Sequence, residues 1–172
     1  MKLTRIQQVE EFQAVKNYRL KLTRFLKLFT NGVFNVSIGG SYALIAQLSE
    51  FSKREASDYD FIICAEDSTI LEIKRGLKQM QVLNAMPLLG SSSDAIPVGY
   101  VKLPWTDVKA ECLFKTVDAP SKIAFKIWED PEDILKIKKE YCDKRIKIGA
   151  PPRAKDVEDI KIIEEALADL PF

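Results

Sequence analysis

Asp58 and Asp60 are separated by one residue and lead into the apolar run Phe61-Ile62-Ile63. Side chains alternate faces along a strand, so two acids at this spacing on a strand point the same way, with Tyr59 and Phe61 on the other face. Adjacent like charges repel unless a cation or strong donors sit between them. Hard cations such as Mg²⁺ take oxygen ligands and combine a few carboxylates with the phosphates of a substrate. Upstream, the apolar stretch from Val36 ends in Gly39-Gly40-Ser41. Two glycines allow φ > 0 and a close approach of backbone to ligand. Ser41 is placed to cap a following short helix, whose N-terminal N–H groups suit a phosphate. A phosphate site and a metal site in one strand–helix–strand unit suit a nucleoside triphosphate carrying its metal.

A third acid comes later. In Val108-Lys109-Ala110-Glu111-Cys112-Leu113-Phe114, one parity holds Val108, Ala110, Cys112 and Phe114 and the other holds Lys109, Glu111 and Leu113. An unpaired charge inside an apolar strand is expensive, so Glu111 needs a cation or a strong donor. It is the candidate third carboxylate, as general base or metal-linked acid. Asp107 is the alternative, a few residues away in register. A plain strand-face Glu paired with Lys109 or Lys102 would also satisfy the charge.

These residues, Gly39-Gly40-Ser41, a short helix and Asp58-x-Asp60 at a strand start, resemble the signature of the polymerase-beta-like nucleotidyltransferases. Within that superfamily the chain is most similar to small bacterial members, including abortive-infection toxin-type enzymes. The resemblance covers about residues 33–63 and extends in part to the C-terminal helix. It implies an α/β (α+β) fold, a mixed sheet flanked by helices. It also implies transfer of a nucleoside monophosphate from an NTP to a hydroxyl, with release of pyrophosphate and with two divalent ions, Mg²⁺ or alternatively Mn²⁺. Asp58, Asp60 and Glu111 would then be the catalytic and metal-binding acids, and Gly39, Gly40 and Ser41 would bind the nucleotide. Lys138 resembles a lysine that family members place near the nucleotide, although Lys136 and Lys139 flank it. Arg153, Lys155, Asp156 and Asp159 are similar to a C-terminal motif that orders this segment against the catalytic sheet. Acids near a helix N-terminus are favourable in any case. The acceptor stays open among a small hydroxylated molecule, a protein side chain and the end of an RNA, and a second copy or a partner protein could complete its site. The other reading keeps the fold without turnover, as a nucleotide-binding or toxin–antitoxin-type interaction module. The intact D-x-D favours the enzyme.

The elements that must position these groups follow from periodicity. Apolar residues from Ile6 to Phe29 recur at helical intervals over 5–30, and Asn31-Gly32 closes the helix. Val33 to Ile38 reads as a strand, Ser41 to Leu48 as a helix and Tyr59 to Cys64 as a strand. Between them, Lys53 and Arg54 lie on a polar connection from which they could steady a triphosphate or remain solvated. Asp67 to Met80 reads as a helix. Gln81 to Leu89 is ambiguous, with a turn near Pro87, and Gly90 to Asp94 is a loop. Strands are expected over 97–103 and 106–116 around Pro104-Trp105, and again over 121–128. Asp130-Pro131 opens a helix to about Cys142, and a last helix runs over 153–170. No repeat or linker divides the chain. One domain over 1–172 is expected, with the catalytic sheet over about 33–128 and C-terminal helices over 130–170 packed on it.

Composition narrows the chemistry. There are 172 residues with 26 Lys and Arg against 25 Asp and Glu, a net charge of +1. No global field therefore advertises nucleic acid, and near neutrality weighs against a large RNA acceptor. The absence of histidine excludes Ser-His-Asp and Cys-His catalysis within one chain and leaves carboxylate, lysine and metal chemistry. Cys64, Cys112 and Cys142 are far apart, which suits buried thiols in a reducing compartment. No run approaches the ~20 apolar residues of a membrane span, so a cytoplasmic location with no membrane partner is expected.

Overall fold

Strand alternation places one apolar and one polar face on a single sheet. The computed structural model describes residues 5–56, 58–80, 83–85, 98–102, 106 and 108–169. Among these, five strands, β1 (Phe34–Ile38), β2 (Tyr59–Ala65), β3 (Leu83–Ala85), β4 (Val98–Lys102) and β5 (Lys109–Thr116), lie in the order β1-β2-β5-β4-β3. β2 and β5 are parallel and the other neighbours antiparallel. The helices are α1 (Arg5–Leu26), α2 (Gly40–Gln47), α3 (Asp67–Gln79), α4 (Pro131–Lys147) and α5 (Ala154–Ala168). The mixed sheet flanked by helices is the expected fold class.

Val36, Ile38, Phe61, Ile63, Ala110, Cys112 and Phe114 form the apolar face and pack with α1 and α3. The opposite parity, Asn35, Ser37, Asp60, Glu111 and Lys115, belongs to the other face. A second apolar cluster, including Leu44, Phe51, Ile134 and Ile163, holds α2 to α4 and α5, and the partly buried Trp128 packs against both clusters. The start of β2 rests on rings: Tyr18 stacks on Phe61 with centroids 5.5 Å apart, and Tyr59 meets Tyr18 and Tyr42 edge-on at 5.2 and 5.8 Å. Such pairs add about 0.5–1.5 kcal/mol each beyond area burial.

Some expectations are corrected. The first helix stops at Leu26, not near residue 30. Its buried stripe is Val15, Tyr18, Leu22, Phe25 and Leu26, while Val9 and Leu20 are 63% and 47% exposed. At 3.6 residues per turn, Val9 and Leu20 both fall on the helix face opposite that stripe. The strand expected over 121–128 is a 3₁₀ turn, Pro120–Lys122, followed by extended chain. Among the described residues that chain pairs with the sheet backbone around Ile38, whose N–H donates to the Ile127 carbonyl at 2.7 Å and whose carbonyl accepts from the Glu129 N–H at 2.8 Å. The next outward carbonyl of β1, on Val36, accepts from Arg19 Nε instead, and the Lys126 carbonyl accepts from the side chains of Arg19 and Asn35. α4 continues past Cys142 to Lys147, with Lys144, Arg145 and Lys147 in its last turn, where cations complement the helix dipole. The ambiguous stretch 81–89 contains β3. The Pro87 turn, the Gly90–Asp94 loop and the Pro104-Trp105 turn lie outside the described residues. All three cysteines are free, Cys112 and Cys142 buried and Cys64 half-buried. Among the described residues no helix is long and apolar enough to cross a membrane.

Candidate active site

The glycine turn is built against the first residues of β2. The Gly39 N–H donates to the Asp60 carbonyl at 2.8 Å. Gly40 has a φ of 59°, and a Cβ there would run into the Asp60 carboxylate. Only glycine combines this backbone with this approach. Helix α2 begins at Gly40 with Gly39 as N-cap and no side-chain cap. Ser41 is therefore inside the first turn rather than capping it: the extended backbone of Gly39 already occupies the cap position. The first N–H groups of α2 have no intrahelical acceptor, and the Cα of Gly40 turns its open side to the Asp60 carboxylate. Gly40→Ala should cost roughly 1–2 kcal/mol through the positive φ alone, before the clash with Asp60. A melting temperature lower by several degrees, together with weakened Mg²⁺–triphosphate binding, is the expected outcome in thermal unfolding and calorimetry.

β2 starts at Tyr59, so Asp58 stands exposed just ahead of the strand. The alternation argument for a shared face required both acids on the strand and does not carry Asp58. Asp60 lies directly opposite Glu111 on β5 in parallel register, about 4.8 Å away between strands. Its carboxyl is pushed up to about 8 by burial first, then by the charge of Glu111, a hydrogen bond with Glu111 and the charge of Asp58, with Lys138 opposing. Two carboxyl groups held this way share either a proton or a cation. Among the described residues no group of three His, Cys, Asp or Glu side chains is close enough to hold a metal by itself. The donor set nevertheless fits a divalent ion: Asp60 and Glu111 side by side, Asp58 within electrostatic reach, and hard oxygen throughout, with remaining ligands left to phosphate and water. Asp107 lies outside the described residues.

Behind the carboxylates is an ion network. Lys138 on α4 meets Asp156 at 3.2 Å and Asp159 at 3.1 Å, both on α5. Arg153 reaches Asp156 at 2.8 Å, and Arg54 reaches Asp159 at 2.5 Å. Asp156 and Asp159 share a buried stripe with Ile163 and Ala166. Burial alone would raise their pKa values. The hydrogen bond from Arg153 to Asp156 and the close ion pair of Arg54 with Asp159, with the charge of Lys138, overcome it and hold both below the usual carboxylate range. The pKa of Arg153 is raised chiefly by its hydrogen bond to Asp156, and the charge of Glu111 adds a smaller push the same way, which places the network within electrostatic reach of the acid pair. The structure thus brings together Lys138, Arg153, Asp156 and Asp159 and leaves Lys155 exposed, without an ion pair among the described residues. Lys53 is exposed. Arg54 is committed to Asp159 and to the face of Phe51, 5.0 Å from its centroid.

Two groups escaped the sequence reading. The Tyr42 hydroxyl donates to Glu11 at 2.8 Å, with the Ala56 carbonyl at 3.1 Å, and so fixes the loop leading to Asp58. Glu129 is 2% exposed and accepts from the Ser37 hydroxyl at 2.9 Å. Like Glu111, it is an acid attached to an apolar run, Ile123 to Trp128, and that signal could have marked it.

Two solved structures are similar to the chain. One, of a cytoplasmic RNA terminal U-transferase, has 14% identity and a TM-score of 0.40 over 84% of this chain, which spans 36% of that protein's chain. The other, of the antibiotic-resistance factor ANT(2'')-Ia, has 13% identity and a TM-score of 0.43 over 97% of this chain and 86% of that one. No family model matches the sequence, and no curated protein does.

Proposed function

We propose that the protein is a metal-dependent nucleotidyltransferase that moves a nucleoside monophosphate from an NTP to an acceptor hydroxyl and releases pyrophosphate. The observation that supports this reading is the in-register Asp60–Glu111 pair with Gly40 pressed against the Asp60 carboxylate. Asp58, Asp60 and Glu111 would hold divalent metal, which supplies charge neutralisation at the triphosphate. Gly40 and Ser41 present backbone N–H groups of the α2 start to phosphate oxygens, while Gly39, its own N–H held by the Asp60 carbonyl, shapes the turn. Glu111 orients the acceptor hydroxyl and takes its proton on a carboxylate oxygen. Lys138, tied to Asp156 and Asp159, adds a fixed positive charge behind the acids and keeps α4 and α5 in place.

Calorimetry of ATP, GTP, CTP and UTP, with and without Mg²⁺, tests the reading. At least one triphosphate should bind only with the metal. Glu111→Gln should keep that binding within a few-fold while slowing transfer about 10²-fold or more. A protein that binds no triphosphate with Mg²⁺, or a Glu111→Gln variant altered in stability alone, would contradict it.

A further inference from the structure

Charge is unevenly distributed along this near-neutral chain. No acidic residue occurs between Glu11 and Glu50, whereas α1 supplies Lys16, Arg19, Lys21 and Arg24 in that interval and Lys27 follows its last residue. The C-terminal half of α1, the outer edge of β1 and Phe125 enclose an open groove of about 560 Å³. Arg19 crosses it: Nε donates to the Val36 carbonyl, and Nη2 donates to the Asn35 side-chain oxygen and the Lys126 carbonyl, each at 3.4 Å. These acceptors are neutral, so the guanidinium charge has no carboxylate partner among the described residues. Lys27 is exposed two helical turns further on, about 12 Å along the axis, and likewise has no ion pair among the described residues. Phe125 is 72% exposed at the rim. Thr23 and Asn31 add a hydroxyl and an amide to the lining.

An apolar peptide would bury Arg19 and Lys27 uncompensated, and a small anion would leave the ring unused. A polyanion carrying flat faces uses all of them. Cations track its backbone while bases stack on an exposed aromatic, the way single-stranded nucleic acid is held. Hydroxyl and amide groups in the lining can meet a 2′-hydroxyl, the group that separates RNA from DNA. We infer that the groove between α1 and the outer edge of β1 docks a single-stranded RNA segment. This site is separate from the acid pair. Val36 lies four residues before Gly40, about 13 Å along the strand direction, and the segment bonded to Ile38 stands at the same edge between them.

The test is fluorescence anisotropy with labelled oligouridylate and oligoadenylate, without nucleotide or Mg²⁺. Matching single-stranded DNA and a polyglutamate peptide serve as competing probes. Wild type should bind RNA more tightly than either. Phe125→Ala should weaken RNA binding about tenfold through lost stacking. Lys27→Glu should weaken it at least as much and reduce the slope of log K against log salt by about 1. Both side chains are exposed, so both variants should melt like wild type. Absence of RNA binding, RNA affinity unchanged in both variants, or equal binding of DNA or polyglutamate would overturn the inference. Mg²⁺–triphosphate calorimetry on the same two variants should match wild type. RNA binding in a protein that binds no triphosphate would leave the groove assigned and remove the transferase reading, and the converse result would do the opposite.

Discussion

Asp60→Asn is expected to abolish metal-dependent triphosphate binding, to slow transfer at least about a hundredfold, and to melt at a higher temperature than wild type in metal-free buffer. The two effects share one cause. Parallel register sets the Asp60 carboxyl against Glu111, and burial with two neighbouring acids disfavours its charged form. An amide of the same shape removes the repulsion, offers an N–H donor to the Glu111 carboxylate opposite and leaves Gly40 its clearance. It also removes one of the few hard anionic ligands on which a divalent ion could settle. Thermal unfolding with and without Mg²⁺ reads both halves. Mg²⁺ with a triphosphate should stabilise wild type, as any ligand of the native state does, and should leave the variant unmoved. A variant that loses stability without metal, or that still responds to Mg²⁺ and nucleotide, would mean that Asp60 is a structural acid.

Lys138→Met should be among the most destabilising single changes in the C-terminal helices. It leaves Asp156 and Asp159, 2% and 0% exposed, to share only Arg153 and Arg54. Breaking a buried pair by removing one partner costs about 3–5 kcal/mol, or roughly 10 °C of melting temperature in a chain of this size. Asp156→Asn in the same chain should restore part of the loss, because it removes one of the stranded charges. The network also sets an acid limit. Both aspartates have folded pKa values below their unfolded ones, so their contribution is complete above the unfolded value of about 3.9 and disappears as pH falls through the folded values. Wild type should lose stability steeply below about pH 4, and Lys138→Met, with less to lose, should show a shallower acid limb in chemical denaturation. An Lys138→Met protein as stable as wild type would return Lys138 to a purely solvated role.

Much of the candidate site could be named from sequence because its signals are local. Gly39-Gly40 before a helix pattern and Asp58-x-Asp60 before an apolar run are read from neighbouring residues. The parity of residues 108–114 already set Glu111 apart from the buried Ala110, Cys112 and Phe114. The pairing of Asp60 with Glu111 was not legible, because register between strands distant in sequence is decided by packing. Nor was the fate of Arg54, whose partner Asp159 lies on the last helix. The strand expected over 121–128 failed for a related reason: its alternation is real, but Arg19 takes the Val36 carbonyl to which the Ile127 N–H would donate if parallel pairing continued past Ile38. Val9 and Leu20 show the limit of periodicity: both lie on the helix face opposite the buried stripe, yet among so many apolar neighbours they read as core until the face that packs is known.

The parallel pairing of β2 with β5 also has a kinetic consequence. Glu111 follows Asp60 by 51 positions, so the two acids meet only after a long loop has closed, at an entropic cost of about 3.5 kcal/mol plus a constant. Contacts this distant in sequence slow folding, whereas β1 and β2 can pair through a nearer connection. A chain that has formed only the β1–β2 ribbon does not yet feel the repulsion between the acids. If the rate-limiting barrier is crossed at that stage, the repulsion acts on the unfolding side. Relieving it with Asp60→Asn then slows unfolding and barely changes the folding rate, so the acid pair sets how long the metal-free native state persists.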